Sequence, residues 1–318
     1  CAYLFEKYKP DMVFSPNLLE PQETHLMKQA QKRGLVTIAM LKSWDNLTSR
    51  WLGRLVPDKL IVHNIHEQKE ALCWLGIKEQ NIFISGIPQY DYYKRDELFS
   101  TKEDFFKGIG ADLSKSLIFY GAAGLWMLPE EMDVIKIIAG FINSGKLIKS
   151  AQLLVRLHPA YVKGEETILD LPNVLFDRPG RDISADPKSY ELEDNDLKRL
   201  RNSLRYADVT LSIASSLSIE ASILNKPIVN IGFDGYSKKL FYLSARRYYE
   251  RGHYKPLVDA QGVKVAYSES ELQSLLNFYL KNPQADSDGR RKIVDRECGD
   301  IDGKAGERIA GFILEHLK

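Results

Sequence analysis

The chain has 318 residues, with 44 Lys and Arg balanced by 43 Asp and Glu for a net charge of +1. That balance excludes a global field that would draw the protein to nucleic acid, so any basic surface must be local. Cys1, Cys73 and Cys298 are far apart, without CxxC or Cys/His ligand spacing, and read as reduced cytosolic thiols, while no run of about 18 apolar residues spans a bilayer and no signal peptide is visible.

Along the chain, apolar runs and helical patterns alternate. Asp11 to Ser15 reads as a strand, Glu20 to Arg33 as a helix and Leu35 to Leu41 as a strand running into Lys42-Ser43-Trp44-Asp45-Asn46. Lys59 to His63 is the next strand, Glu67 to Leu75 a helix ended by Gly76, and Ile82 to Ser85 a strand before Gly86-Ile87-Pro88. Tyr92 to Lys115 is a polar connector. The alternation then restarts with a strand over Leu117 to Tyr120, a helix over Met132 to Ser144 and strands over Gln152 to Leu157 and Val174 to Phe176. Pro179 to Asp196 reads as a mobile loop and Asp196 to Tyr206 as an amphipathic helix. Strand Val209 to Ile213, a short helix carrying Glu220, strand Pro227 to Ile231 and helices over Glu269 to Leu280 and Gly306 to Leu317 complete the chain.

Continuous apolar strands mark parallel sheets covered on both faces, so the expected class is α/β, with two doubly wound Rossmann-like domains. The expected division is 1–92 for an N-terminal acceptor-side domain, 93–300 for a C-terminal donor-binding domain, and 301–318 for a helix packing back toward the first. The first half shows four strands and begins at Cys1 rather than Met. A complete doubly wound half has about six, so an upstream segment is expected.

Ligands of doubly wound sheets sit beyond the carboxyl ends of the strands, which shortens the list of candidates. Ser215 and Ser216 follow a strand and open a short helix whose first amides would favour an anion, with Glu220 one turn further in, placed for the hydroxyls of a ribose. Gly121, Ala122 and Gly124 follow another strand and would let backbone approach a donor. Arg156 and His158 end a third strand, and a guanidinium beside an imidazole suits a phosphate or a departing nucleotide, with His158 as hydrogen-bond donor or general acid. Trp44, Asp45 and Asn46 form either an acceptor pocket with Asp45 as general base or an Asx-type turn with a buried indole. Glu23 is a weaker acceptor-side candidate. The basic, aromatic segment Arg251 to Pro256 reads as solvated surface. His63, His66 and His316 have no partners at metal-ligand spacing, and no Walker or GxSxG motif occurs.

The order of Trp44-Asp45-Asn46, Gly86-Ile87-Pro88-Gln89-Tyr90-Asp91, Arg156-Leu157-His158-Pro159, Ser215-Ser216 with Glu220, His253-Tyr254-Lys255-Pro256 and Asp302-Gly303-Lys304-Ala305 resembles GT-B-fold glycosyltransferases of bacterial surface-polysaccharide pathways, notably the teichoic-acid-type (CDP-glycerol) polyol-phosphate transferases. The His-Pro pair and double serine are also similar to motifs of bacterial sialyltransferases and polysialyltransferases. The resemblance implies that His158, Ser215 and Ser216 contact the donor phosphate, that Glu220 meets its ribose, and that Arg178-Pro179-Gly180 lies by the nucleobase. The His-Gly motif of the teichoic-acid enzymes and the acidic motif of the sialyltransferases are absent, which leaves Asp45 as a substitute base. The expected function is a metal-independent transfer from a CMP, CDP or UDP-type donor to a glycan or lipid-linked acceptor, with no cofactor. A lipid-linked acceptor would bring this cytoplasmic protein to the inner membrane face, although no amphipathic basic helix is legible. A nucleotide-sugar 2-epimerase-like enzyme and a non-catalytic nucleotide-sugar-binding protein are the alternatives.

Overall fold

The computed structural model describes residues 2–18, 20–50, 55–124, 126–159, 171–184 and 190–317, and Cys1 lies outside them. The chain divides into two compact units, one of Cys1–Arg95 with Val294–Lys318 and one of Asp96–Ile293.

The first unit opens with α1 (Ala2–Tyr8), β1 (Met12–Ser15), α2 (Pro21–Gln31) and β2 (Val36–Met40), followed by β3 (Lys59–Val62), α3 (Ile65–Leu75) and β4 (Ile82–Ile84). All four strands are parallel in the order β1-β2-β3-β4. Helix α3 starts where Asn64 Oδ1 takes the amides of His66 and Glu67, and stops at Gly76, whose φ of +63° is left-handed.

The second unit holds α4 (Lys102–Ile109), β5 (Ser116–Gly121), α5 (Glu131–Asn143), β6 (Ala151–Arg156), β7 (Val174–Asp177), β8 (Arg181–Asp182), β9 (Tyr190–Glu191), α6 (Asp194–Tyr206) and β10 (Val209–Ser212). It continues with α7 (Leu217–Ile223), β11 (Ile228–Ile231), α8 (Lys255–Asp259), β12 (Lys264–Ala266) and α9 (Glu269–Lys281), and the division falls inside α10 (Ser287–Glu297). The main sheet is parallel in the order β12-β11-β10-β5-β6-β7, so the order reverses between β5 and β10. Counted from β5, this is the 3-2-1-4-5-6 arrangement of dinucleotide-binding folds. Leu117, Ile118, Phe119 and Tyr120 of β5 are all fully buried, as expected for a central strand covered on both faces. Helices α5 and α9 cover one face with Ile138, Leu272 and Leu276, and α6 and α7 pack from the other, as right-handed crossovers leading both ways from the centre require.

Helix α11 (Ala305–Leu314) returns to the first unit. Period-two alternation sends Ala39, Leu60 and Val62 into a core with Met27 and Ala71, while Ile38 and Ile61 face Ile309 of α11. Phe312 stacks on Phe83 with ring centroids 4.4 Å apart.

Two segments differ from expectation. The polar connector from Tyr92 to Lys115 contains α4, which Thr101 caps and Gly110 ends, because Phe105 and Phe106 supply a narrow buried stripe that its charged residues mask in sequence. The stretch expected to be a mobile loop, Pro179 to Asp196, holds the antiparallel pair β8–β9 among its described residues, and 185–189 lie outside them.

Candidate functional site

The reversal point of the second sheet places the ends of β5 and β10 side by side, and these ends carry the glycine turn and the serine turn. A Cβ on Gly121 would lie 2.1 Å from Leu217 Cδ1, so the first residue of α7 rests against the bare backbone at the end of β5. A Cβ on Gly124 would lie 2.3 Å from the Trp126 ring, and that ring stands edge-on to the imidazole of His158 at 4.5 Å. Serine turn, glycine turn and His158 are therefore contiguous.

Both turns are braced from below. Glu131, fully buried at the start of α5, accepts hydrogen bonds from Tyr120 Oη (3.0 Å), the Ala123 amide (2.7 Å) and the Gly124 amide (3.0 Å). The Ala122 amide goes to the Arg156 carbonyl. The amides of Ala122, Ala123 and Gly124 are thus engaged within the protein, so the turn is rigid and what it offers an approaching donor is its bare backbone surface.

Under the serine turn, Ala214 sits at a left-handed φ of +40°, a conformation non-glycine residues seldom adopt. Backbone hydrogen bonds of Ala214 and Ser215 reach the hydroxyls of Tyr249 and Tyr254. Tyr254 is fully buried, 2.7 Å from Ser218 Oγ and 2.5 Å from Asn230 Nδ2, and Ser212 Oγ donates to Asn230 Oδ1 at 3.0 Å. Burial raises the Tyr254 phenol to about 12, so it stays protonated and neutral.

This arrangement revises the phosphate reading. Ser215 Oγ accepts the Leu217 amide at 3.2 Å, and the amides of Ser218, Ile219 and Glu220 bond to the carbonyls of Ser215 and Ser216. The amides from Leu217 to Glu220 are satisfied internally, and α7 is only seven residues long. Ser215 and Ser216 are both partly exposed, and Glu220, one turn on, is half-buried.

His158 is half-buried two residues past β6, and burial lowers its pKa, which favours a neutral imidazole that donates through one N–H. Arg156, expected beside it on the phosphate, is drawn elsewhere: its guanidinium is buried, ion-paired with Asp177 and bonded to the Asp196 carbonyl at 2.9 Å. Asp177 also takes Arg199 at 2.9 Å. A buried carboxylate holds Arg156 more strongly than an exposed ligand site could. Arg178 is exposed on the following loop, which the Asp196 carboxylate fixes by accepting the Gly180 amide at 3.1 Å.

Trp44, Asp45, Asn46 and Glu23 belong to the first unit. Asn46 Oδ1 accepts the amides of Lys42 and Ser43, both at 2.9 Å, and Asp45 accepts the hydroxyls of Ser43 (2.7 Å) and Ser49 (2.6 Å). The Asx-turn reading therefore describes Asp45 and Asn46 better than the acceptor-pocket one. Trp44 is partly exposed rather than buried. Glu23 closes the end of β1, accepting Ser15 Oγ and the Asn17 amide.

Glu131 and Trp126 went unread in sequence, and Tyr254, though part of the motif His253-Tyr254-Lys255-Pro256, carried no sign of its supporting role. Glu131 had a legible signal, a carboxylate at a helix start just past a glycine turn. Tyr254 did not, because Arg251 and Lys255 around it suggest solvent. Among the described residues, no group of three or more His, Cys, Asp or Glu is placed to hold a metal ion.

No protein-family model matches the sequence, and no curated protein matches it. Solved structures do. A UDP-GlcNAc 2-epimerase from Methanocaldococcus jannaschii, solved with UDP-GlcNAc and UDP, aligns over 98% of this chain and 78% of its own at 14% identity, with a TM-score of 0.61. A Listeria monocytogenes protein assigned as a UDP-N-acetylglucosamine 2-epimerase aligns over 99% and 76% at 13% identity, with a TM-score of 0.64. The wall teichoic acid polymerase TagF, as an H444N variant with CDPG, aligns over 100% and 75% at 18% identity, with a TM-score of 0.54. The chain has the GT-B fold. At these identities the likeness extends to architecture: a GT-B chain of two parallel-sheet units, shared by enzymes that act on nucleotide sugars and by a polymerase of the cell wall.

Proposed function

We propose that this GT-B chain is a transferase that moves a sugar or polyol phosphate from a nucleotide-activated donor to a surface-glycan or lipid-linked acceptor without a metal ion. The observation that carries this reading is the contiguity of the serine turn, the glycine turn and His158 at the strand-order reversal of the second sheet. When the bond to the nucleotide breaks, negative charge builds on the departing phosphate. In this reading Ser215 Oγ–H, Ser216 Oγ–H and the neutral His158 N–H donate to it, and the bonds of Tyr254 to Ser218 and Asn230 and of Glu131 to the Ala123 amide brace the two turns, which limits the reorganisation needed as the charge develops. Glu220 would take the ribose hydroxyls. Trp44 is the acceptor-side candidate that keeps an accessible surface.

The second reading, a nucleotide-sugar 2-epimerase, draws support from the higher TM-scores of the epimerases. That chemistry needs several carboxylates and a histidine converging on one sugar ring; of the two carboxylates that stand out for it, Asp45 is engaged in bracing its own turn, which leaves Glu220 alone.

A nucleotide screen by thermal shift, followed by incubation with labelled CDP, CMP and UDP-linked donors, tests the proposal. Transfer predicts free nucleotide together with label in a new glycoside or phosphodiester. Label that changes configuration while still attached to the nucleotide would establish the epimerase reading instead, and nucleotide binding without turnover would leave a binding protein.

A further inference from the structure

Beyond the carboxyl end of β11 the second unit carries an exposed apolar and basic segment that leans on the start of α5 through Lys239 and Glu130. Between Gly235 and Arg251 the sequence places five basic residues and one acidic one, in a chain whose total net charge is +1. In the same segment Leu240 is 77% exposed, Tyr242 81% and Leu243 63%, with Tyr236 and Phe241 also exposed.

This ridge is held in shape. The Ala245 amide bonds to Asp234 Oδ1 at 2.8 Å, the Leu243 amide to the Leu240 carbonyl at 2.9 Å, and Arg247 Nη1 clamps the Tyr242 carbonyl at 2.6 Å. Phe241 and Tyr242 lean edge to face at 5.8 Å. Beside the ridge lies a cavity of about 540 Å³ whose lining includes Tyr236, Lys238, Lys239, Arg246, Tyr267 and Glu269. Lys239 is neutralised by Glu130 at 2.5 Å, and Arg246 lies over the Tyr267 ring at 5.7 Å. Lys238 and Arg246 supply the outward positive charge.

A contiguous apolar patch facing water is costly unless something covers it, and aliphatic and aromatic tips ringed by Lys and Arg match the boundary between acyl chains and anionic headgroups. We infer that the segment Gly235 to Arg247 docks this protein on an anionic lipid surface, with Leu240, Phe241, Tyr242 and Leu243 entering the acyl boundary and Lys238 and Arg246 meeting lipid phosphates. The charge excess selects a lipid surface over a neutral apolar partner. The device is a short rigid ridge, invisible to a search for an amphipathic helix. The inference does not depend on the transferase reading.

The test is co-sedimentation of the 318-residue chain with vesicles of pure phosphatidylcholine and of phosphatidylcholine with about one third phosphatidylglycerol. Binding is expected only to the anionic vesicles and should weaken with salt. Lys238→Gln and Arg246→Gln should each weaken it about five-fold, and Leu240→Ser with Leu243→Ser about ten-fold or more. Because these side chains are exposed, unchanged melting curves will show that the variants fold. Three results would overturn the inference: equal sedimentation with both vesicle types, binding indifferent to all four substitutions, or a concentration-dependent dimer abolished by the Leu→Ser pair in the absence of lipid binding.

Discussion

Leu217 occupies the space that a side chain on Gly121 would need, its Cδ1 only 2.1 Å from where a Cβ would stand. The contact joins the end of β5 to the first turn of α7, so the two loops of the candidate donor site are set by one glycine and one leucine. Gly121→Ala must push Leu217 aside. The displaced atom is the tip of a flexible side chain, so the cost to stability is modest, about 1 kcal/mol, while nucleotide affinity should fall by more because the serine turn moves with Leu217. Gly121→Ala combined with Leu217→Ala removes the clash and should recover part of that affinity, as read by titration calorimetry with the best nucleotide. Equal loss in the single and double variants would show that this contact does not set the turn.

His158 has its pKa lowered by burial, so it stays neutral to a more acidic pH than the usual 6.5. A group with a depressed basic pKa takes up its proton less readily folded than unfolded; its contribution to stability is complete above pH 6.5 and shrinks as the pH drops below it. If donation by the neutral ring is what the reaction uses, the rate should hold a plateau at neutral pH and fall on the acid side. His158→Ala should reduce kcat on the order of 100-fold with little change in melting temperature. Trp126→Ala strips cover from the imidazole and should shift the acid limb of the rate profile, and the ring's NMR titration, to higher pH. A rate indifferent to His158→Ala removes the residue from the chemistry.

Tyr254 ties four groups together beneath the serine turn: Ser218, Asn230 and, through backbone, Ser215, with Ser212 joined through Asn230. Tyr254→Phe keeps the buried ring but leaves these partners without the hydroxyl. That should cost about 1–3 kcal/mol in urea unfolding. Nucleotide affinity should fall as well, because the Tyr254 hydroxyl supports Ser215 through its backbone and Ser218 at the start of α7. Tyr249→Phe breaks only the bonds to the Ile231 carbonyl and Ala214 and should be milder. The reverse order of the two effects would place the turn's support on Tyr249.

These results mark where the sequence was legible. Strands such as β5 and β10 could be read directly because a central parallel strand must be apolar on both faces, and Gly, Ser and His just past their ends stood out against that background. What the residue pattern could not convey was how each polar group is engaged. Arg156 and His158 look equivalent at a strand end, yet Asp177, twenty-one positions further on, claims the first. Asp45 looked equally able to act as base or as cap until Ser43 and Ser49 were seen on its two oxygens. Strand β12 and helix α10 are too short or too charged to show periodicity, with α10 rich in Arg, Asp and Lys.

In the first unit, Glu297 is buried at the end of α10 and its pKa is raised to about 7 by burial, with Glu67 and Glu70 adding to the rise and Arg296 opposing it. Arg296 lies 2.8 Å away but is partly exposed, so its charge is screened and burial prevails. The Glu297 carbonyl accepts Asn64 Nδ2 at 2.7 Å, linking this helix end to the cap of α3, and Glu67 itself takes the His63 amide and ring, with His66 nearby held toward its neutral form by burial and by Arg296. A carboxyl with a raised folded pKa binds more protons folded than unfolded between 4.5 and about 7. Stability must therefore decline as the pH rises through that window, the opposite of a paired surface carboxylate. The whole effect is at most about 3 kcal/mol. Glu297→Gln carries no charge at any pH, so it should melt higher than the parent at pH 8, match it near pH 5, and flatten the pH dependence of unfolding between them. Should Glu297→Gln instead lower stability equally at both pH values, the carboxylate is ionised throughout and the bond to Arg296 outweighs burial.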